Sequence, residues 1–231
     1  MPPPSPPIVA LPLREQVYEH LKRRLQAGTL APGALLDQNA LAAEMGISRT
    51  PLRDALLVLA AEGFVEILPR RGVRVAALTL DRIRDLYEIV GALEAAALRG
   101  AGGRIETAEI DRLDELNAAR RAALVAGDFD TFYARNVEFH ATWLALSPNE
   151  ELTRAVRILR QRLYDFPRHR ELVKEWEVAS TGEHAEIIRL LRAGEVGAAA
   201  DFLRDVHWSF AVQEPFIRRY YEDGRRPASD A

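Results

Sequence analysis

Val17, Leu21 and Leu25 recur at four-residue spacing near the start of the chain. That repeat lays one apolar stripe along a helix, expected over about Leu13–Gln26. Gly28 and the turn Ala31-Pro32-Gly33 end it. A short helix is expected after Asp37, a good N-cap, with Leu41, Ala42 and Met45 on it. Gly46 makes a tight turn. Ser48 caps a third helix from Arg49 to about Glu62, with Leu52, Leu56 and Leu59 facing inward. Pro51 lies in its first turn, where a missing N–H costs nothing. Phe64–Leu68 and Val73–Ala76 then flank Pro69-Arg70-Arg71-Gly72, which reads as a hairpin with a basic tip.

Beyond residue 77 the pattern is helical throughout. Thr79 caps a helix to about Leu98, with Ile83, Leu86, Ile89, Val90 and Leu93 as its stripe. Gly100–Gly103 breaks it, and further helices are expected over about 106–126, 128–146, 149–166, 170–193 and 195–221. The fold class is mostly α: an N-terminal winged helix-turn-helix over 11–77, then an all-α bundle of about six helices over 78–221. Proline-rich residues 1–10 read as a disordered leader and 222–231 as a flexible tail.

Composition narrows the picture. A chain 48% hydrophobic and 28% charged is ordinary for a soluble protein. The absence of cysteine excludes disulfides and thiolate metal sites. No apolar run approaches the ~18 residues of a membrane span, and no secretory signal is present, so a cytoplasmic location is expected. The net charge of −3 hides an asymmetry: residues 1–76 carry nine Lys/Arg against seven Asp/Glu, and the acidic excess lies in the remainder.

That asymmetry matters because of where the basic residues fall. Leu41 to Leu56 supplies a short helix, a glycine turn and a capped second helix, the parts of a helix-turn-helix. The N-terminal end of such a second helix enters the major groove of double-stranded DNA. Here it presents Ser48, Arg49, Thr50 and Arg53, with the two arginines on one face. Arginine grips guanine bidentately or pairs with phosphate. Arg70, Arg71 and Arg74 flank the site from the wing, at the backbone or in the minor groove. Two arginines alone would be a solvated helix face; cap, turn and basic hairpin together are more specific.

Leu13 to Ala77 resembles the DNA-binding domain of the GntR family. The resemblance rests on Leu30-Ala31-Pro32-Gly33, Gly46-Ile47-Ser48-Arg49-Thr50-Pro51-Leu52-Arg53, Glu62-Gly63 and Arg71-Gly72. Asp37-Gln38 stands where the family usually has Ser-Glu, a change that bears on a phosphate contact rather than on the fold.

Five histidines are present. His20 and His169 read as surface residues. Asn136 and His140, four apart, share a helix face. If the last two helices pack antiparallel, His184 and His207 face each other across the bundle. Three imidazoles from three helices suit Zn²⁺, Ni²⁺ or a similar divalent transition ion. The alternative is a set of hydrogen-bonded core histidines.

Residues 79–213 resemble the ligand-sensing helical domain of the FadR-type branch of the same family. The matching stretches are Leu86-Tyr87-Glu88, Leu93-Glu94, Phe139-His140, Ser147-Pro148-Asn149, Glu183-His184 and Leu191-Arg192-Ala193-Gly194. About six helices imply the shorter, VanR-like form. The resemblance implies a metal held by Asn136, His140, His184 and His207, a homodimer, a palindromic operator and repression released by a small effector, expected to be a carboxylate. Asn136 replaces the commoner aspartate, which weakens the metal site. Val90 stands where many relatives carry an arginine that faces the effector, leaving Arg135, Arg157 and Arg162 as candidate cations. Two other functions compete: a metal-dependent enzyme built on the bundle, which lacks a placed general base, and a non-specific architectural DNA protein, against which the small basic surplus argues.

Overall fold

The computed structural model describes residues 11–164 and 173–223. The leader, His169 and the tail beyond 223 lie outside the described residues. Two units follow one another at Leu78–Thr79. No helix among the described residues is long and apolar enough to cross a membrane.

The first unit contains α1 (Leu13–Gln26), β1 (Leu35–Leu36), α2 (Gln38–Glu44), α3 (Arg49–Ala61), β2 (Val65–Leu68) and β3 (Gly72–Val75). Leu21 on α1 and Leu52, Leu56 and Leu59 on α3 are at most 2% exposed. Each contributes roughly 1.5–3 kcal/mol of burial. Asp37 caps α2 by accepting from the N–H groups of Asn39 and Ala40. Ser48 occupies the cap position of α3, but its hydroxyl makes no cap hydrogen bond.

Two expectations need correction here. The wing has three strands in the order β1-β3-β2, because Leu35 and Leu36 pair with Arg74 and Val73. A two-residue strand is too short to show the alternation that marks strands in sequence. His20, expected at the surface, is half-buried, and its Nε2 is enclosed.

The wing turn runs from Leu68 to Arg71, whose N–H donates to the Leu68 carbonyl at 3.0 Å. Pro69 sets the turn's first corner. Arg70 takes the second at φ 60°, a left-handed conformation that favours glycine.

The second unit is helical among its described residues. It comprises α4 (Leu80–Ala101), α5 (Thr107–Ala126), α6 (Phe129–Leu146), α7 (Glu150–Tyr164), α8 (Lys174–Arg192), α9 (Val196–Phe202) and α10 (Phe210–Arg218). Thr79 and Asp128 cap α4 and α6 through their side chains. A capping box of Glu106 and Glu109 opens α5, and Gly127 at φ 69° closes it. Helix α5 packs on α6 and α8, and α4 on α6 and α9.

The single helix expected over 195–221 is interrupted. A π-helical turn, Leu203–His207, follows α9, and Ser209 is extended before α10 begins. His207, Trp208 and Phe210 all turn largely inward. A regular helix, stepping 100° per residue, does not place all three on one face. The turn lies close to α4, where a Cβ on Gly91 would stand 2.9 Å from Trp208 Cβ.

Candidate functional site

Two side-chain groups carry chemistry, one in each unit. In the first unit Ser48, Arg49, Thr50 and Arg53 are all exposed at the start of α3. Arg49 Nη2 donates to Asn39 Oδ1 on α2. Arg70 and Arg71 are exposed at the wing tip. Arg74 is exposed too, but Glu66 on the neighbouring strand accepts from its Nη2 at 2.6 Å and its Nε at 3.2 Å. Its charge is therefore offset within the wing, unlike that of Arg49, whose partner is a neutral amide.

In the second unit α6, α8 and the π turn bring His140, His184 and His207 together. Their ring centroids stand 5.2, 5.1 and 4.9 Å apart. Their potential ligand atoms all lie within 4.8 Å of one another. His140 and His184 are fully buried, and the His207 side chain is 11% exposed. Phe139 stacks on His184 at 3.8 Å, so the ring is held flat on one side.

Each imidazole has a partner at Nδ1. His140 donates to Glu94 Oε2 at 2.7 Å, and His207 donates to Glu183 Oε2 at 2.7 Å. Those carboxylates orient the rings with Nε2 lone pairs directed away from them, the arrangement used by metal-ligating histidines. His184 differs. Its Nδ1 lies 2.5 Å from Arg120 Nη1, and a guanidinium only donates. The His184 proton therefore sits on Nε2, and ligation there calls for the other tautomer and for Arg120 to turn away.

The electrostatics follow from burial. Burial and the Arg160 charge push His140 down to about 3, with Glu94 only partly opposing. Burial and Arg120 hold His184 well below the ordinary range. Burial disfavours ionisation of Glu94, but His140 and Arg160 outweigh it and keep the carboxylate charged. Two imidazoles are thus neutral at pH 7, the state in which they bind metal.

The donor set fits an ion. His140 Nε2, His184 Nε2 and Asn136 Oδ1 are enclosed without hydrogen-bond partners. Each such orphan costs about 1–3 kcal/mol unless an ion or ligand meets it. Asn136 shares the α6 face of His140, one turn earlier.

The cations nearest this cluster are Arg120 and Arg160. Arg120 is 1% exposed, donates to Ser180 Oγ at 3.0 Å and lies over Phe132. Arg160 Nε faces Glu94 Oε1 at 3.5 Å, an ion pair without a hydrogen bond. Arg135, Arg157 and Arg162 are the cations that the sequence offers. Arg135 pairs with Glu138 at 2.6 Å, Arg157 is exposed, and Arg162 is half-buried, its pKa lowered by burial and by Arg82. A signal for Arg120 was present: it continues the buried stripe of Leu113, Leu116, Asn117 and Leu124.

Comparison with known proteins supplies the family. Residues 13–75 match the model for bacterial regulatory proteins of the gntR family, and residues 85–206 match the FCD domain. An HTH-type transcriptional regulator from an unstable DNA locus of Streptomyces ambofaciens is 30% identical over 83% of this chain and 80% of that protein. The transcriptional repressor RspR of Escherichia coli is 29% identical over 56% of this chain and 57% of its own length. Among solved structures, E. coli McbR/YncC shares the fold with a TM-score of 0.65 at 22% identity, over 94% of this chain and 100% of that one. FCD domains bind small-molecule effectors, often with a metal, and GntR regulators bind DNA. The chain belongs to the GntR family of transcriptional regulators, with an FCD effector-binding domain of the FadR type.

Proposed function

We infer that this regulator is a repressor, acting as a homodimer on a palindromic operator and released by a small carboxylate effector. The observation that carries the effector reading is the group of enclosed, unpartnered polar atoms at His140, His184 and Asn136, flanked by buried Arg120 and Arg160. Asn136, His140, His184 and His207 would hold a divalent transition ion of the Zn²⁺ or Ni²⁺ kind. When bound, the ion supplies a Lewis-acidic point of attachment for a carboxylate.

Arg120 and Arg160 are better placed than Arg135, Arg157 or Arg162 to meet the effector's charge. A carboxylate would give Arg120 a stronger partner than neutral His184. On the DNA side, Ser48, Arg49, Thr50 and Arg53 would enter the major groove, with Arg70 and Arg71 beside them from the wing. Repression accords with the name of the E. coli relative. Effector binding would favour a dimer whose two reading helices no longer match successive half-sites.

Metal analysis of purified protein tests the pocket, alongside His140→Ala and His184→Ala. About one equivalent of a transition ion in the parent and a loss in both variants is expected. Operator binding by the loaded protein should then weaken when small carboxylates are added. A parent free of metal after growth and dialysis in Zn²⁺ or Ni²⁺ would reduce the histidines to hydrogen-bonding groups.

A further inference from the structure

The first turn of α2 stands at the reading surface. Asp37 Oδ1 fixes its backbone by accepting from Asn39 N and Ala40 N at 2.9 and 3.0 Å. On one side of it, a Cβ on Gly72 of the wing would lie 3.9 Å from Gln38 Nε2. On the other, Asn39 Oδ1 accepts from Arg49 Nη2, on the first residue of α3. Asn39 and Arg49 are both exposed.

The chemistry of this contact has one solution. A guanidinium has donors only, so the amide must present its oxygen to Arg49. The Asn39 Nδ2 hydrogens then remain for another partner. With its oxygen engaged by Arg49, Asn39 is poorly set to offer the acceptor–donor pair by which an asparagine reads adenine. What the joined side chains have left to offer is mainly donors. Because the amide is neutral, it steadies Arg49 without cancelling its charge, whereas Glu66 offsets that of Arg74.

We propose that Asn39 is a specificity-determining residue, which together with Arg49 reads a guanine in each half-site of the operator. A unit left mainly with donors needs a partner that only accepts. Guanine alone presents two adjacent acceptors, N7 and O6, on its major-groove edge. Adenine and cytosine each place an amino donor there, which opposes the unit. The proposal rests on the reading of α3 as the recognition helix.

Selection from a randomised duplex library tests it, using full-length parent protein and the Asn39→Ala, Asn39→Asp and Arg49→Ala variants. The parent should enrich a two-fold symmetric site with a guanine at one fixed position of each half. Asn39→Ala should lower the preference for guanine there about tenfold, within the range of a single base contact. Asn39→Asp should abolish it, because the carboxylate neutralises Arg49 and adds acceptors. Aspartate suits the first turn of an exposed helix, so this variant folds even if the alanine one is weakened.

A structural role for Asn39 would weaken binding to every duplex alike and leave the base preference intact. Unchanged preference at every position in both Asn39 variants, with Arg49→Ala altering it, overturns the proposal and leaves the recognition helix standing. A parent that enriches no sequence overturns both.

Discussion

Two of the protein's Arg–Glu pairs are set in opposite surroundings. Arg74 and Glu66 meet across the wing with 45% and 26% of their side chains exposed. Arg160 and Glu94 meet in the helical unit at 11% and 0%. In the wing, water solvates both charges and their attraction is worth roughly 0–1 kcal/mol. In the bundle Glu94 has no water to return to and Arg160 has little, so the carboxylate depends on Arg160 and on His140. The same two residue types therefore make an adjustable surface in one unit and a fixed polar core in the other.

Removing the acid from each pair should expose that contrast most strongly. Glu94→Ala leaves the Arg160 charge buried and His140 Nδ1–H without its acceptor, and should cost about 3–5 kcal/mol in denaturant unfolding. Glu66→Ala should cost no more than about 1 kcal/mol. Equal losses would show that Glu94 is solvated.

Acidification acts on the buried side alone. His140 and His184 have folded pKa values below the ordinary 6.5, so the unfolded chain binds protons that the folded chain refuses. Their stabilising contribution is complete above pH 6.5 and declines as pH falls below it. For metal-free protein the slope between pH 6.5 and 5 should reach up to about 1.4 kcal/mol per pH unit for each imidazole. Glu94, whose pKa is lowered from 4.5, remains charged across that window, whereas Glu177, raised by burial to about 7, takes up a proton in the folded chain and offsets part of one imidazole's loss. Denaturant curves at pH 7.0 and 5.5 measure the difference, and identical curves would mean that the rings protonate in place.

The smallest effect belongs to the exposed side. Arg70 holds a left-handed backbone at φ 60°, a strain of about 1 kcal/mol or more for a residue with a side chain. Arg70→Gly should stabilise the first unit by about 1 kcal/mol while weakening operator binding. A variant that gains stability and binds DNA as well as the parent would remove Arg70 from the reading surface.

Sequence reading reached different depths in the two units. The caps at Asp37 and Thr79 and the boundaries of α1 follow from local chemistry, which spacing records. The four-residue step from Asn136 to His140 was equally legible, as was the possibility of His184 facing His207. Arg120 was harder to single out, because a buried cation differs from 30 other Lys/Arg residues only by its position on an apolar stripe. Asn39 left no trace, since its significance arises from a contact with Arg49 across two helices. The π turn was equally invisible: it packs against α4, and the spacing of Leu203–His207 carries no signal for it.

That turn has a genetic consequence. A π turn is an α-helix that has accommodated one extra residue. Deleting one of Leu203, Arg204, Asp205 or Val206 would let an ordinary helix close over the same span, with the residues before and after the turn keeping their places. If the chain instead kept its length and the turn relaxed to a regular α-helix, everything after it would rotate by about 100°, and His207 would leave the company of His140 and His184. The place of His207 beside His140 and His184 therefore depends on a helix that holds one residue more than its regular form has room for.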